Sequence, residues 1–182
     1  MNMARRADSI LLWGMMGSGK SAVARSIHEK TGRRVVDLDR YIAEQSGRTV
    51  AEIIETDGLG SFRQQEKVHL NQLLREGVTD VISLGGGTLL DRDFRTMVRS
   101  RAYVCSLLGR PRTLMARIMT DEGPRRPLLD VDEDELELKL TEILDERRAA
   151  YLDVDFAVDT SDLSIHEVAD CLMRLFELRD VA

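Results

Sequence analysis

The segment Gly14–Ser21, with the sequence GMMGSGKS, constrains this chain more than any other feature. It follows a short apolar run, Ser9–Trp13, which is typical of a strand buried on both faces, and it precedes residues with helical spacing. Glycines allow such a turn to aim its amide N–H groups inward, and the start of the following helix adds positive potential. Because the G-x-x-x-x-G-K-S pattern and its context agree, the segment predicts a site for nucleotide phosphates rather than a chance glycine-rich turn.

Two side chains of this loop are expected to act on the phosphates directly. Lys20 can reach the β- and γ-phosphates of ATP, which makes it a candidate catalytic residue, and the Ser21 hydroxyl can bind Mg²⁺. The predicted nucleotide-binding residues of the loop are Gly14, Met15, Met16, Gly17, Ser18, Gly19, Lys20, Ser21 and Ala22. ATP and Mg²⁺ are therefore the expected cofactors, and the acceptor of the phosphoryl group has to be sought elsewhere in the chain.

Apolar runs and helical patterns alternate along the whole sequence. The predicted strands are 9–13, 34–37, 80–84, 102–107 and 155–158. The predicted helices are 20–31, 40–46, 50–55, 60–75, 94–100, one from Pro111, one that Asp132 caps and that runs to about 151, and one capped by Ser164. This alternation predicts a three-layer α/β/α sandwich around a central parallel sheet of five strands, with ligands at the carboxyl ends of the strands.

The length and composition set limits on the class of protein. A chain of 182 residues, 43% of them hydrophobic, is expected to form one domain, residues 1–182, with one core. The formal charge of −6 gives no reason to expect nucleic-acid binding. No apolar run is long enough for a membrane span, and residues 1–16 do not read as a signal peptide, so a cytoplasmic protein is expected. Cys105 and Cys171 fit no metal or redox spacing and are expected to be buried apolar residues.

Two acidic residues close the second predicted strand. Asp37 and Asp39 are two residues apart, so on a strand both carboxylates would face the same cleft. One could help to hold the metal, and the other could accept a proton from a substrate hydroxyl group. The alternative is a polar strand end with solvated acids.

Two further segments leave a structural and a functional interpretation open. Arg63 and Glu66 lie three residues apart on a predicted helix, and the spacing alone slightly favours an exposed ion pair. Gly85–Gly87 follow a buried strand, and three consecutive glycines indicate that bare backbone is needed there. Close approach of a ligand is the favoured reason, and a tight turn is the alternative.

The order of the motifs GMMGSGKS, DLD, SFRQQE, SLGGGT, RPLL and ERRAAY resembles the shikimate kinases through nearly the whole chain. The resemblance implies a P-loop fold like that of nucleoside monophosphate kinases, with a helical substrate-binding segment at about 40–76 and a mobile lid at about 120–131. It also implies a monomeric enzyme that transfers the γ-phosphoryl group of MgATP to the 3-hydroxyl of shikimate, in aromatic amino-acid biosynthesis.

The resemblance assigns roles to particular residues. Asp37 matches an acid that helps to hold Mg²⁺, and Asp39 matches the catalytic acid that contacts the substrate hydroxyl groups. Arg63 matches an arginine that binds the shikimate carboxylate, and Glu66 matches the acid that orients this part of the site. The backbone that lines substrate and phosphate is matched by Gly85, Gly86 and Gly87.

Three arginines later in the chain match the family less securely. Arg126 fits a catalytic lid arginine that contacts ATP, Arg147 fits a second carboxylate-binding arginine, and Arg117 fits an arginine that stacks on adenine. Arg125 and Arg148 are adjacent alternatives, so the register of two of these assignments stays open. The chain also departs from the family pattern at Ala22, at 58–59 and at 149–150, but no departure removes a chemical group that the reaction needs.

Two other functions remain open at this level. The chain could phosphorylate another small hydroxy acid, such as gluconate, because such kinases share the loop and the fold. It could also be a nucleotide-binding regulator without turnover. Such regulators usually lose the loop lysine or a catalytic acid, whereas Lys20, Ser21, Asp37 and Asp39 are all present.

Overall fold

The computed structural model describes residues 9–76, 80–120 and 133–177, and its centre is a parallel sheet. The strands in chain order are β1 Ile10–Trp13, β2 Arg34–Asp37, β3 Asp80–Ser83, β4 Tyr103–Leu108 and β5 Phe156–Asp159. They lie in the order β2-β3-β1-β4-β5, and every neighbouring pair is parallel. The predicted five-stranded parallel sheet is confirmed, and β1 occupies its centre.

Helices cover both faces of the sheet. They are α1 Lys20–Thr31, α2 Leu38–Ser46, α3 Val50–Arg75, α4 Arg92–Arg99, α5 Pro111–Thr120, α6 Glu133–Leu152 and α7 Ile165–Glu177. Alternate residues of β1 point to opposite faces, as strand geometry requires. Leu11 and Trp13 pack in the core with α2, α3, α4 and α6, whereas Ile10 and Leu12 pack with α1 and α7. The three-layer sandwich that the sequence predicts is therefore confirmed.

Predicted helix ends agree with the structure at two positions. Gly32 ends α1 with a φ of 72°, in the left-handed region that favours glycine. At the start of α7, the Ser164 hydroxyl accepts a hydrogen bond from the Glu167 amide, and the Glu167 carboxylate accepts one from the Ser164 amide. This reciprocal pair is a capping box, which satisfies amides that the first helical turn leaves without partners.

Three details differ from the sequence-based expectations. The helices predicted at 50–55 and 60–75 form one run, α3, in which Gly58 keeps a non-helical φ of 85° and marks a kink. The second difference is that α2 begins at Leu38 and not at 40, with the side chain of Asp37 as its cap, so Asp39 lies in the first turn of α2 and not on a strand. Finally, Cys105 is buried as expected, but Cys171 is only partly buried. Burial raises the pKa of the Cys105 thiol far above its usual range.

Two other expectations concern the lid and membrane insertion. The predicted lid at about 120–131 lies outside the described residues, apart from Thr120 at the end of α5. The predicted helix cap Asp132 also lies outside them. Within residues 9–76, 80–120 and 133–177, no helix combines the length and the apolar character that a membrane span needs.

Ser106 offers a test of the packing around the sheet. Its side chain in β4 is fully buried, and its hydroxyl has no hydrogen-bond partner among the described residues. Because a buried hydroxyl without a partner costs free energy, Ser106→Ala is expected to raise the free energy of unfolding by about 1 kcal/mol, measured by urea denaturation.

The matched control for this prediction is Ser26→Ala. Ser26 is equally buried, but its hydroxyl lies 3.1 Å from Nδ1 of His166. Losing this hydrogen bond is expected to lower the free energy of unfolding by about 1 kcal/mol. If both variants change stability in the same direction, the hydroxyl of Ser106 has a partner in solution.

Candidate active site

A cleft of about 830 Å³ lies at the carboxyl ends of the strands. Most predicted site residues line it, namely Met15, Met16, Gly17, Ser18, Gly19, Lys20, Ser21, Ala22, Asp37, Asp39, Arg63, Gly85, Gly86, Gly87, Arg117 and Arg147. Gly14 and Glu66 are buried just behind this surface. The fold therefore brings together residues that lie more than 130 positions apart in the sequence. Arg125 and Arg126 lie outside the described residues.

The loop between β1 and α1 depends on its glycines. Gly14 has a φ of 139°, and a Cβ atom on it would lie 2.2 Å from the carbonyl oxygen of Leu107 in β4. Gly17 has a φ of 75°, and its Cβ would lie 2.7 Å from the carbonyl oxygen of Leu114. Any side chain at these positions would force the loop away from the sheet and from α5. The loop keeps its turn because both residues are glycine.

The two polar side chains of the loop are held by different parts of the protein. The Lys20 ammonium donates a hydrogen bond of 2.8 Å to the carbonyl oxygen of Met15, so the side chain folds back over its own loop. The Ser21 hydroxyl donates one of 3.1 Å to a carboxylate oxygen of Asp37 and lies 3.4 Å from the Ser83 hydroxyl. Three oxygen-bearing side chains thus meet beside the start of α1.

This group of oxygen atoms fits Mg²⁺. Neighbouring ligands in an octahedral Mg²⁺ shell are about 3 Å apart, which is close to the separation of the Ser21 and Asp37 oxygens. No set of three or more His, Cys, Asp or Glu side chains in the described parts of the chain could hold a metal by itself. Mg²⁺ commonly takes few protein ligands and keeps water and phosphate oxygens, so the arrangement suits it.

Asp39 reaches the cleft from α2 rather than from β2. The strand-based argument for its direction is wrong, because the chain turns into α2 directly after Asp37. The first helical turn nevertheless brings Asp39 to the glycine turn at 85–87, where a Cβ on Gly85 would lie 3.1 Å from Oδ1 of Asp39. The expectation that both acids face the cleft therefore holds for a different geometric reason.

The interpretation of Arg63 and Glu66 as an exposed ion pair is wrong. Glu66 is fully buried, and one of its carboxylate oxygens accepts a hydrogen bond of 2.5 Å from Arg63. The other oxygen accepts a hydrogen bond from the Thr88 hydroxyl. This face of α3 packs against the glycine turn, so Glu66 is shielded from water while Arg63 still lines the cleft. Glu66 thus fixes the direction of the Arg63 guanidinium.

Two of the three glycines of the turn leave space that neighbouring side chains occupy. A Cβ on Gly87 would lie 2.2 Å from a terminal nitrogen of Arg63, and a Cβ on Gly85 would lie 2.8 Å from a Glu66 oxygen. Neither glycine has a positive φ, so close approach and not backbone conformation is the reason for them. The prediction that something needs bare backbone here is borne out, although the nearest groups belong to the protein.

The late arginines differ in their exposure. Arg147 is half-buried and lines the cleft, where a terminal nitrogen lies beside Gly86, whereas Arg148 is exposed. Arg117 donates hydrogen bonds of 3.0 Å and 2.6 Å to the hydroxyl and carbonyl of Thr160. Arg147 and Arg117 are therefore the arginines of α6 and α5 that reach the site.

Several residues of the cleft were missed by the sequence analysis. Ser83 ends β3 and Thr160 directly follows β5, and this position at the carboxyl end of a strand is the signal that could have identified them. Thr88 is buried and donates a hydrogen bond to Glu66. Trp13 and Tyr151 are buried beneath the cleft, and no pattern in the sequence indicates that they belong to the site.

The sheet order, the phosphate-binding loop and the charged residues opposite it define a P-loop phosphotransferase. Residues 16–177 match the family model of shikimate kinases. A shikimate kinase of Caldanaerobacter subterraneus subsp. tengcongensis is 32% identical over 168 residues, which cover 92% of this chain and 95% of that protein. The chain belongs to the shikimate kinase family, so the resemblance that its motifs indicated is confirmed.

Solved structures agree with this assignment. The structure of shikimate kinase from Acinetobacter baumannii in complex with shikimate aligns with a TM-score of 0.84 and 29% identity, covering 96% of this chain and 95% of that one. Shikimate kinase from Bacteroides thetaiotaomicron aligns with a TM-score of 0.87 and 27% identity, covering 93% and 98%. The likeness thus extends over the whole fold that surrounds the cleft.

Proposed function

We propose that this chain transfers the γ-phosphoryl group of MgATP to the 3-hydroxyl group of shikimate, giving shikimate 3-phosphate and ADP. Family membership supports this reaction. The single observation that carries the acceptor assignment is the arrangement around the glycine turn. Side chains of Asp39, Arg147 and Arg63 lie beside Gly85, Gly86 and Gly87 respectively. One carboxylate and two guanidinium groups thus lie along one short turn. A small ring that carries hydroxyl groups and a carboxylate can contact all three of them.

The phosphate side of the cleft is assigned to the loop at 14–21. Its amides and the start of α1 bind the phosphates, and Lys20 exchanges its hydrogen bond to the loop for the β- and γ-phosphates. Ser21 and Asp37 hold Mg²⁺, which when bound neutralises charge on the phosphate oxygens. Arg117, which lines the cleft and donates hydrogen bonds to Thr160, is assigned to stack on adenine.

The acceptor side is assigned to residues of α2, α3 and α6. Arg63 and Arg147 bind the shikimate carboxylate, because guanidinium groups match the geometry of a carboxylate. Asp39 binds the attacking hydroxyl, directs it at the γ-phosphorus and takes up its proton. Holding the two reactants in this orientation supplies most of the rate enhancement, since phosphoryl transfer needs little covalent help from the protein. Arg126 of the lid keeps its predicted role in charge neutralisation.

The acceptor is tested by coupled measurement of ADP release with shikimate, quinate and gluconate. We expect rapid release with shikimate and little with the other two acids. Faster release with gluconate would favour a kinase for another hydroxy acid. ATP binding without release for any acceptor would favour a nucleotide-binding regulator. The monomeric state, the cytoplasmic location and the absence of nucleic-acid binding stay predictions.

Gly87→Ala tests the packing of Arg63 against the turn. The new methyl group would overlap the guanidinium, so Arg63 has to leave its bond with Glu66 or move in the cleft. We expect the KM for shikimate to rise about tenfold while the KM for ATP stays within about twofold. Gly60→Ala is the control, because a Cβ at Gly60 meets no atom within 4 Å. An unchanged KM for shikimate in Gly87→Ala would show that Arg63 does not bind the acceptor.

A further inference from the structure

The carbonyl oxygen of Gly86 accepts hydrogen bonds from two buried aromatic side chains. The indole N–H of Trp13 donates one of 3.2 Å, and the hydroxyl of Tyr151 donates one of 3.0 Å. The two rings meet edge to face with centroids 4.6 Å apart, and both are almost completely buried. The end of β1 and the end of α6 thus converge on one atom of the glycine turn.

The other carbonyl groups of the turn are also bound by the protein. The Gly85 carbonyl accepts from the Thr88 amide at 3.2 Å, and the Gly87 carbonyl accepts from the Leu90 amide at 3.3 Å. By contrast, the amides of Gly86 and Gly87 make no hydrogen bond to any other residue in the described parts of the chain. Because both glycines line the cleft, their amides are the donors that the turn leaves for a ligand.

The bond pattern fixes the direction of one peptide group. The chain has no cis peptide among its described residues, so the Gly86 carbonyl and the Gly87 N–H point in opposite directions. A peptide between two glycines can rotate at little steric cost, since neither residue carries a Cβ. Two donors on the carbonyl oppose that rotation and hold the Gly87 N–H on the side away from Trp13 and Tyr151.

Tyr151 also lies near Arg147, since a Cβ on Gly86 would lie 3.4 Å from the Tyr151 hydroxyl and 3.6 Å from a terminal nitrogen of Arg147. The Tyr151 hydroxyl donates its hydrogen to the Gly86 carbonyl. Burial raises the pKa of Tyr151, and the nearby charge of Arg147 offsets only part of this effect, so the phenol keeps its hydrogen at neutral pH. Arg147 and Tyr151 are four residues apart on α6 and share one helix face.

We propose that Trp13 and Tyr151 are positioning residues, which fix the Gly86–Gly87 peptide so that the Gly87 N–H donates to the acceptor substrate. Neither residue touches the substrate in this account. The inference rests on the proposed function, because the substrate that receives the N–H is taken to be shikimate.

The test compares Trp13→Phe, Tyr151→Phe and the double variant with the wild type. Each single variant keeps an aromatic ring and one donor to the Gly86 carbonyl, so the KM for shikimate is expected to rise about threefold to tenfold. The KM for ATP is expected to stay within about twofold of the wild-type value in every variant.

The double variant gives the sharpest result. With both donors lost the peptide is free to rotate, so the rise in KM for shikimate is expected to exceed the product of the two single rises. Tyr103→Phe is the control, because it removes a phenol hydroxyl at the opposite end of the sheet. Thermal unfolding of every variant separates a loss of stability from a loss of shikimate affinity.

Some outcomes overturn the proposal while the proposed function stands. If the wild type phosphorylates shikimate and the double variant has an unchanged KM for it, the aromatic pair has no positioning role. Equal rises in both KM values also reject it. If the variants do not fold, the proposal is tested on the wild type by recording the ¹⁵N NMR signal of the Gly87 amide with and without shikimate. A large shift with shikimate supports the proposal, and no shift overturns it. Absence of shikimate phosphorylation by the wild type rejects the proposed function itself.

Discussion

Asp39→Asn is expected to lower kcat by roughly 100-fold or more, because asparagine cannot take up the proton of the attacking hydroxyl group. The substitution keeps the size of the side chain at the start of α2, and the nucleotide loop lies on a different element. The dissociation constant for ATP is therefore expected to change by less than about twofold. Steady-state kinetics with saturating shikimate and calorimetric titration of ATP measure the two quantities.

Glu44→Gln is the matched control for this variant. It also removes one negative charge from α2, but Glu44 pairs with the exposed Arg40 and lies away from the cleft. Wild-type turnover is expected for it. Wild-type turnover in Asp39→Asn would exclude proton uptake by Asp39. Parallel loss of ATP affinity in that variant would assign Asp39 to the phosphate side of the cleft.

Arg63→Ala is expected to raise the KM for shikimate about 100-fold and to leave the KM for ATP within about twofold. The guanidinium is the proposed partner of the substrate carboxylate, and hydrogen bonds between charged groups are among the strongest in proteins. The same change is expected to lower the free energy of unfolding by about 3 kcal/mol, because Glu66 stays buried without its cation. Kinetics and urea denaturation measure the two effects.

A second substitution separates these two effects. Adding Glu66→Gln to Arg63→Ala removes the buried negative charge, so stability is expected to recover in part while the KM for shikimate stays high. Arg148→Ala serves as the control, because Arg148 is an exposed arginine next to Arg147. If the KM for shikimate recovers together with stability, Arg63 has a structural role only.

The sequence predicts those features that depend on neighbouring residues. The loop at 14–21, the alternation of strands and helices and the caps at Gly32 and Ser164 are encoded locally, and the structure has all of them. The direction of Asp39 was derived from the wrong element, because α2 begins at Leu38, capped by Asp37, two residues before the predicted start of that helix. Such a boundary depends on one side-chain hydrogen bond, which periodicity does not reveal.

Features that depend on distant residues could not be read from the pattern. The burial of Glu66 follows from its contact with Thr88, 22 residues further along the chain. The bond from Tyr151 to Gly86 spans 65 residues, and that from Trp13 spans 73. The choice between Arg147 and Arg148 follows from which face of α6 meets the sheet. Only the assembled fold supplies these contacts.

The most direct test of this account is a crystal structure of the protein with shikimate and ADP–Mg²⁺ bound. We expect the shikimate carboxylate to lie between the guanidinium groups of Arg63 and Arg147, and the 3-hydroxyl of shikimate to lie at hydrogen-bond distance from Asp39. We also expect the ADP phosphates to lie within the loop at 14–21. Shikimate bound elsewhere, or with its carboxylate turned toward Lys20, would contradict the assignment of the acceptor site.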